Sequence, residues 1–265
     1  MDTHQERMRE IDVHLGCRMK ILFLVAAMLW TTVVFADDKP LVVGVEEQDY
    51  LPNYGWKDGV FYGAGSDILG AFAADQGYKI TYRALPIRRL YAETFNGNVD
   101  IKFPDSPDWA ADVKKGFKLT YSTPVIGFID GVVVKPDRLG HGISAIHTLG
   151  TMGGFTVSND WRSRISAGTV ELKENSRLDQ LLRQVMLDRV DGAYVSVAAA
   201  LYVVDKSLGQ KGGLAFDPGL PFQKGNYLAS SVSHPEIIQE FNRWMAGHQD
   251  QIKGIKTRWG VDSLY

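Results

Sequence analysis

Three short β-rich runs, separated by two amphipathic stretches, fill the segment from Leu41 to Phe103, and this alternation constrains the fold more than any other feature of the chain. Leu41, Val42, Val43 and Val45 make the first run, apolar and rich in branched residues but too short for a helix. Asp58-Gly59 then reads as a turn. Ser66 and Asp67 stand where the cap of a helix belongs, with Ile68, Leu69, Phe72 and Ala73 on one face and Gly77 as its stop. Lys79 to Ala84 alternates, placing Ile80, Tyr82 and Ala84 on one side of a second strand. Pro86 opens a second helix to about Phe95, Asn96-Gly97 closes it, and Val99 to Phe103 is the third strand. Strands alternating with helices predict an α/β fold with a parallel sheet and right-handed crossovers.

In open α/β sheets, ligands bind beyond the C-terminal ends of the strands. The first run ends there in Glu46, Glu47, Asp49, Tyr50, Asn53 and Tyr54, acids and aromatics suited to holding a small molecule. Pro104 to Lys118 reads as a charged loop, and Tyr121-Ser-Thr-Pro124 leads into an apolar stretch from Val125 to Val134, interrupted afterwards by Pro136, Gly140 and Gly142. A second α/β cycle follows. Phe155 to Val157 reads as a strand, and Val170 and Leu172 point to another. Ser176 is placed to cap a helix carrying Leu178, Leu181, Leu182 and Val185, with Asp179 at the capping-box position. Ala193 to Val197 predicts a strand, Ala198 to Val204 a helix, and Gly209 to Gly213 a flexible loop. Tyr227 to Val232 predicts a returning strand, and Ser233-His-Pro-Glu236 a helix start with Ile237, Phe241, Trp244 and Met245 buried. A last helix runs from about Gln251 to Trp259 and stops at Gly260.

The N-terminal 36 residues read separately. Arg18 and Lys20 precede an apolar run from Ile21 to Val34, and Val34-Phe35-Ala36 offers small residues at the positions a signal peptidase reads. The run is shorter than the roughly 20 residues a spanning helix needs. Residues 1 to 36 are therefore expected to be a secretory signal with a polar upstream extension, cleaved after Ala36, with Met19 as an alternative start. That predicts a periplasmic protein. Cys17, the only cysteine, lies before the apolar run, so the mature chain has none and relies on its core rather than on disulfides. A formal net charge of −2 gives no electrostatic case for a nucleic-acid partner.

With these pieces in order, the chain resembles the family 3 extracellular solute-binding proteins, the periplasmic amino-acid-binding type. The likeness is carried by Leu41-Val-Val-Gly-Val45, Gly63-Ala-Gly-Ser-Asp67, Phe95-Asn-Gly-Asn-Val-Asp100, Tyr121-Ser-Thr-Pro-Val125, Leu187-Asp-Arg-Val-Asp-Gly192 and Ile255-Lys-Thr-Arg-Trp-Gly260. The resemblance implies the two-lobed type II periplasmic binding protein fold, each lobe a mainly parallel sheet flanked by helices. Lobe 1 would span 39–133 plus 229–265 and lobe 2 134–228, joined by two hinge strands, with a solute in the cleft. It further implies a monomer that delivers a small solute to the membrane permease of an ABC-type importer, without a cofactor.

Amino-acid binders of this family hold the ligand carboxylate with an arginine shortly after the third strand, and the ammonium with an aspartate of the second lobe. A desolvated zwitterion needs both. Here Lys102 to Asp112 contains no arginine, with Trp109 in that loop, and Ser196 stands where the aspartate would fall. The amino-acid clamp is thus expected to be absent, and other groups become the candidates for ligand contact. These are Glu46, Tyr50 and Tyr54 after the first strand, Arg88 (with Arg89) at a helix start, Lys102 at a strand end, Trp161 and Arg162 in the second lobe, and Ser196. Glu46 and Glu47 would suit a cationic ligand; a hinge-side ion pair is the plainer alternative.

The six histidines show no short metal-type pair beyond His141 and His147, so no metal is expected. There is no G-x-S-x-G, no phosphate loop and no catalytic cysteine in the mature chain. The leading expectation is a non-enzymatic binding protein. The alternatives are a dehydratase-like enzyme on the same fold, using Glu46 or Asp105 as acid or base, and a ligand-sensing partner of a membrane receptor.

Overall fold

The structure, a computed structural model, describes residues 39 to 261; the expected signal segment and cleavage site lie outside the described residues. The first strand, β1 (Lys39–Glu46), is followed by a small antiparallel sheet of β2 (Asp49–Tyr50), β3 (Tyr54–Lys57) and β4 (Val60–Tyr62). The β3–β4 turn holds Asp58 at φ 51° and Gly59 at φ 82°, the doubly left-handed pair that suits a two-residue hairpin. Next come α1 (Ala64–Gln76), β5 (Tyr78–Leu85), α2 (Ile87–Phe95) and β6 (Ile101–Asp105). Strand β1 pairs in parallel with both β5 and β6, which is the sheet the alternation predicts. The small sheet was legible only as its one turn.

Helix α1 begins two residues ahead of the expected cap, with Gly63 preceding it. Ser66 does not cap it; its hydroxyl donates to the Phe61 carbonyl at 2.9 Å. Ile68, Leu69, Phe72 and Ala73 are buried as expected, and Gly77 closes the helix in the left-handed conformation. Gly65 is required by packing: a Cβ there would come within 2.4 Å of the Phe103 ring.

A four-residue helix, α3 (Ala111–Lys114), interrupts the loop after β6. The chain then runs through β7 (Thr120–Tyr121) into β8 (Ile126–Val134). The second cycle comprises β9 (Thr148–Met152), α4 (Asn159–Ser166), β10 (Glu171–Asn175), α5 (Leu178–Met186), β11 (Gly192–Ser196) and α6 (Val197–Tyr202), the last continued by a π-turn over Val203–Ser207. Strand β12 (Ala215–Phe216) pairs with β8, and β13 (Gln223–Ser231) leads to α7 (Pro235–Gly247) and α8 (Gln249–Trp259), which stops at Gly260.

Three expectations change here. Residues 155–157 are not a strand; the strand is β9, just upstream. Its Gly150 hid the pattern, yet glycine is needed because a Cβ would lie 2.4 Å from Leu181 of α5. Ser176 does not cap α5: Arg177 precedes it, and Asp179 receives two guanidinium hydrogen bonds from Arg177 at 3.0 Å instead of closing a capping box. Ser233 likewise yields its place to His234, whose backbone N–H donates to the Ser231 hydroxyl at 2.9 Å.

The strand order β10-β9-β11-β8-β13-β6-β1-β5 joins two half-sheets through β13. Residues 223–227 of β13 pair with β8, and residues 228–231 pair with β6 and β7. Ser122 and Val125, between β7 and β8, donate backbone hydrogen bonds to Ala229 and Tyr227 of β13 at 2.8 and 3.0 Å. Two antiparallel segments thus carry the chain between the halves. One core around Phe72, Phe103 and Phe241 of the first half runs on into the second through Met152, Leu181 and Val185; a separate cluster around Leu149, Trp161 and Tyr194 lies in the second. Among the described residues no helix is long and apolar enough to cross a membrane.

Candidate functional site

Parallel pairing brings the C-terminal ends of β1 and β6 side by side, and their last residues carry the polar groups that the core cannot take. Glu46 and Asp105 both come to lie deeply buried there. Between the halves is a cavity to which the first contributes Glu46, Tyr54, Ile87, Tyr91 and Trp109, and the second Gly154, Phe155 and Thr156, with Tyr227 of β13 between them. No lysine or arginine lines it. In this conformation it measures about 20 Å³, room for roughly one water. A solute of several heavy atoms therefore requires the halves to part or a ring to swing aside.

The walls are mostly aromatic. Tyr54 meets Tyr227 edge to face at 5.5 Å and 82°, and Tyr227 meets Trp109 at 5.7 Å and 65°. Phe128 backs Tyr227 in a stacked pair at 4.9 Å. Tyr50 does not line the cavity: it is wholly buried behind Tyr54, edge-on at 5.4 Å, and touches Phe155 of the second half at 6.4 Å.

The Tyr54 hydroxyl donates to Glu46 Oε2 at 2.7 Å. Burial raises the Glu46 pKa; the charge of Lys102 and the Tyr54 hydrogen bond oppose that rise without cancelling it. Below this pair lies Asp130 on β8, also buried, whose pKa burial lifts well above the carboxylate range, with the Glu46 charge adding to the effect. Asp130 Oδ1 and the Tyr50 hydroxyl have no hydrogen-bond partner among the described residues.

Asp105 is the best-satisfied acid of the region. Its Oδ1 accepts from the Lys114 ammonium at 2.9 Å, the Tyr91 hydroxyl at 3.0 Å and the Ser106 N–H at 2.8 Å, and its Oδ2 accepts from Ser230 at 2.7 Å. Lys102 Nζ lies 3.6 Å away, donates to the Pro104 carbonyl, and sits 4.5 Å from the centre of the Tyr91 ring. Burial alone would raise the Asp105 pKa; Lys102 and Lys114 outweigh it, so the net shift is downward. Burial lowers the Lys114 pKa despite the attraction of Asp105. The two shifts pull opposite ways, and the four hydrogen bonds onto the carboxylate make its ionised form the firmer conclusion.

The sequence candidates therefore separate. Glu46 and Tyr54 come together on the cavity wall, with Tyr50 behind them. Lys102 is fully buried and turned toward Asp105 rather than into the cavity. Arg88 does not line the cavity either; it reaches across to the second half and pairs with Glu174 at 2.8 Å. The same Glu174 accepts from the Gly154 N–H at 3.1 Å. Ala110 N–H to Thr156 Oγ1, 3.3 Å, is another hydrogen bond between the halves. Ser196 is buried at the end of β11, its hydroxyl receiving the Tyr227 O–H at 3.5 Å. Trp161 is not a stacking wall. Its indole is fully buried in the second core and donates to the Pro221 carbonyl at 3.0 Å. Arg162 is exposed on α4, where its guanidinium donates to the Val157 carbonyl at 3.4 Å. Sequence reasoning passed over Tyr91, Tyr227, Thr156, Phe155 and Asp130. Tyr227 and Asp130 sit in strands read only for their apolar pattern, where a polar residue among β-formers was the available signal.

No protein-family model matches the chain, and no curated sequence matches it. Solved structures do. An ancestral arginine-binding protein bound to arginine matches at a TM-score of 0.69 and 18% identity, over 84% of this chain and 99% of that one. A histidine kinase sensor domain with similarity to periplasmic binding proteins matches at 0.67 and 16%, over 84% and 96%. A substrate-binding protein of an ABC uptake transporter from Streptococcus pneumoniae, with bound histidine, matches at 0.67 and 16%, over 83% and 92%. At such identities the likeness establishes architecture: the chain has the two-lobed fold of the type II periplasmic binding proteins.

Proposed function

We propose that the chain is an exported, non-enzymatic solute-binding protein that closes two lobes on one small polar solute. The observation that carries this reading is the cavity itself, lined from both halves and from the β13 segment that runs between them. The first lobe ends ahead of β8 rather than at 133, because β8 pairs with β11 and β12 of the second half; the β7–β8 segment and β13 serve as hinge. Closure is favoured by contacts each lobe makes only when they meet. Tyr54 and Glu46 touch the solute, Tyr50 supports Tyr54, and Arg88 acts through its pair with Glu174 as a clasp at the rim. Lys102 sets the charge around Asp105 and Glu46 without touching the solute.

The amino-acid clamp is absent on this reading. The cavity wall has no basic residue, and the lysines nearest to it are spent on Asp105. An unpaired zwitterion end in a closed cleft costs about 1–3 kcal/mol or more, so ordinary α-amino acids bind weakly. Delivery to an ABC-type permease is supported by the likeness to a substrate-binding protein of an ABC uptake transporter; a periplasmic location and a monomeric state belong to the same proposal. The likeness to a histidine kinase sensor domain supports a second reading, in which the same closure is reported to a membrane receptor.

Native mass spectrometry of the protein exported from its own host tests the proposal. The expected result is a single small molecule retained per chain and lost on Tyr54→Ala with the fold intact. Turnover of that molecule, absent from heat-inactivated protein, would replace the binding reading with an enzymatic one.

A further inference from the structure

We infer that the cleft selects a small organic cation, an amine or quaternary ammonium without a carboxylate beside it, caged by Tyr54, Trp109 and Tyr227 with Glu46 as counter-charge. The inference rests on the solute-binding reading and goes beyond it by fixing the charge of the ligand.

Three observations carry it. First, among the described residues Glu46 is the only charged one of the wall, so a buried ligand meets an acid there and no base. A ligand carboxylate would face Glu46 without a partner, whereas an ammonium would find one. Second, the tyrosine and tryptophan rings are set at steep angles to one another, 82° between Tyr54 and Tyr227 and 65° between Tyr227 and Trp109. Rings turned this way present faces and edges around a common point, the arrangement that holds a cation by its attraction to ring faces. The protein already uses the Tyr91 ring so, with the ammoniums of Lys102 and Lys114 at 4.5 and 5.3 Å from its centre. Third, those two ammoniums do not repel a bound cation at full strength, because Asp105 lies against both, at 3.6 and 2.9 Å.

The Glu46 carboxyl is faced by Tyr54, Lys102, Asp105 and, at greater depth, Asp130 and Tyr50. Burial lifts its pKa, so the negative charge that a cation depends on is lost at a higher pH than for a free carboxylate. Cation affinity should therefore fall as the medium is acidified, while the affinity of a neutral molecule should not.

The test is calorimetric titration of the full mature protein with choline and butylammonium chlorides, with 3,3-dimethyl-1-butanol as choline's uncharged isostere and sodium chloride as ionic control. The cations should bind at least about thirtyfold more tightly than the alcohol, the worth of one desolvated cation–ring contact. Glu46→Gln should remove most of that preference, and Trp109→Leu should weaken cation binding at unchanged pH dependence. Equal binding of cation and alcohol, or a Glu46→Gln protein of native circular dichroism with undiminished preference, would overturn the inference. A neutral or anionic molecule retained by the exported protein would also overturn it and leave the solute-binding reading standing. If no small molecule is retained or bound at all, both fall together.

Discussion

Replacing Asp105 by Asn keeps the shape of the side chain and removes the charge that holds two buried lysines in place. Lys102 is fully buried, Lys114 is 8% exposed, and Asp105 receives four hydrogen bonds. With the charge gone, the two ammoniums keep the carbonyls of Pro104 and Ser106, the rings of Tyr91 and Tyr121, and the more distant charges of Glu46 and Asp108. Breaking a buried pair from one side costs about 3–5 kcal/mol, because a charge is left uncompensated. Taking roughly 3 kcal/mol per molar for urea, the unfolding midpoint should fall by about 1–2 M with little change in slope. Adding Lys102→Met to Asp105→Asn should recover part of the loss, since one orphaned ammonium is then removed. The pH sign is fixed by the downward shift of Asp105. Its contribution is present above the unfolded carboxylate pKa of about 3.9 and is lost as pH falls through its lower folded value, so the variant and the parent converge only in acid. A midpoint for Asp105→Asn within experimental error of the parent at neutral pH would refute the argument.

Other consequences follow from single residues. Asp130 has its folded pKa raised, so its contribution is full below about pH 4 and is lost as pH rises through the folded value; Asp130→Asn should be more stable than the parent at neutral pH and should flatten a slope of up to about 1.4 kcal/mol per pH unit. Parallel pH series of urea midpoints would show it, and parallel slopes would count against it. Arg88→Ala should leave stability within about 1 kcal/mol, because the pair is exposed, yet shift the solution ensemble toward open lobes, read as a larger radius of gyration by small-angle scattering. Glu174→Ala should do the same, since it removes the same pair, and it also frees the Gly154 N–H within the second half. Trp161→Ala should cost about 3–5 kcal/mol and leave the solute affinity of the folded protein unchanged, since the indole fills the second core and not the cleft.

Much of the architecture could be read from the chain. The parallel β1, β5 and β6 follow from a short-run alternation that only crossovers satisfy, and Gly77 and Gly260 end their helices in the left-handed conformation that glycine permits. Where sequence reasoning slipped, a tertiary contact had overridden a local signal. Gly150, unread in the sequence, is a strand residue pressed against Leu181; Ser66, Ser176 and Ser233 looked like caps and found other work or none. The cleft was half visible. Glu46 and Tyr54 follow from the rule that ligands meet strand ends. Tyr227 and Asp130 could not be placed, because which face of a crossing strand turns toward the cleft depends on its register with β6, β8 and β11. Trp161 shows the converse: a tryptophan at a helix start is as good a core residue as a wall, and only packing decides.

The claim that matters most is that this cleft has no grip for a ligand carboxylate. It is tested most directly by calorimetry on matched pairs, each a common α-amino acid and the amine left when its carboxyl group is removed. The account predicts that no amino acid binds below the micromolar range and that removing the carboxyl never weakens binding. A sub-micromolar amino acid whose affinity collapses in the matching amine would contradict it.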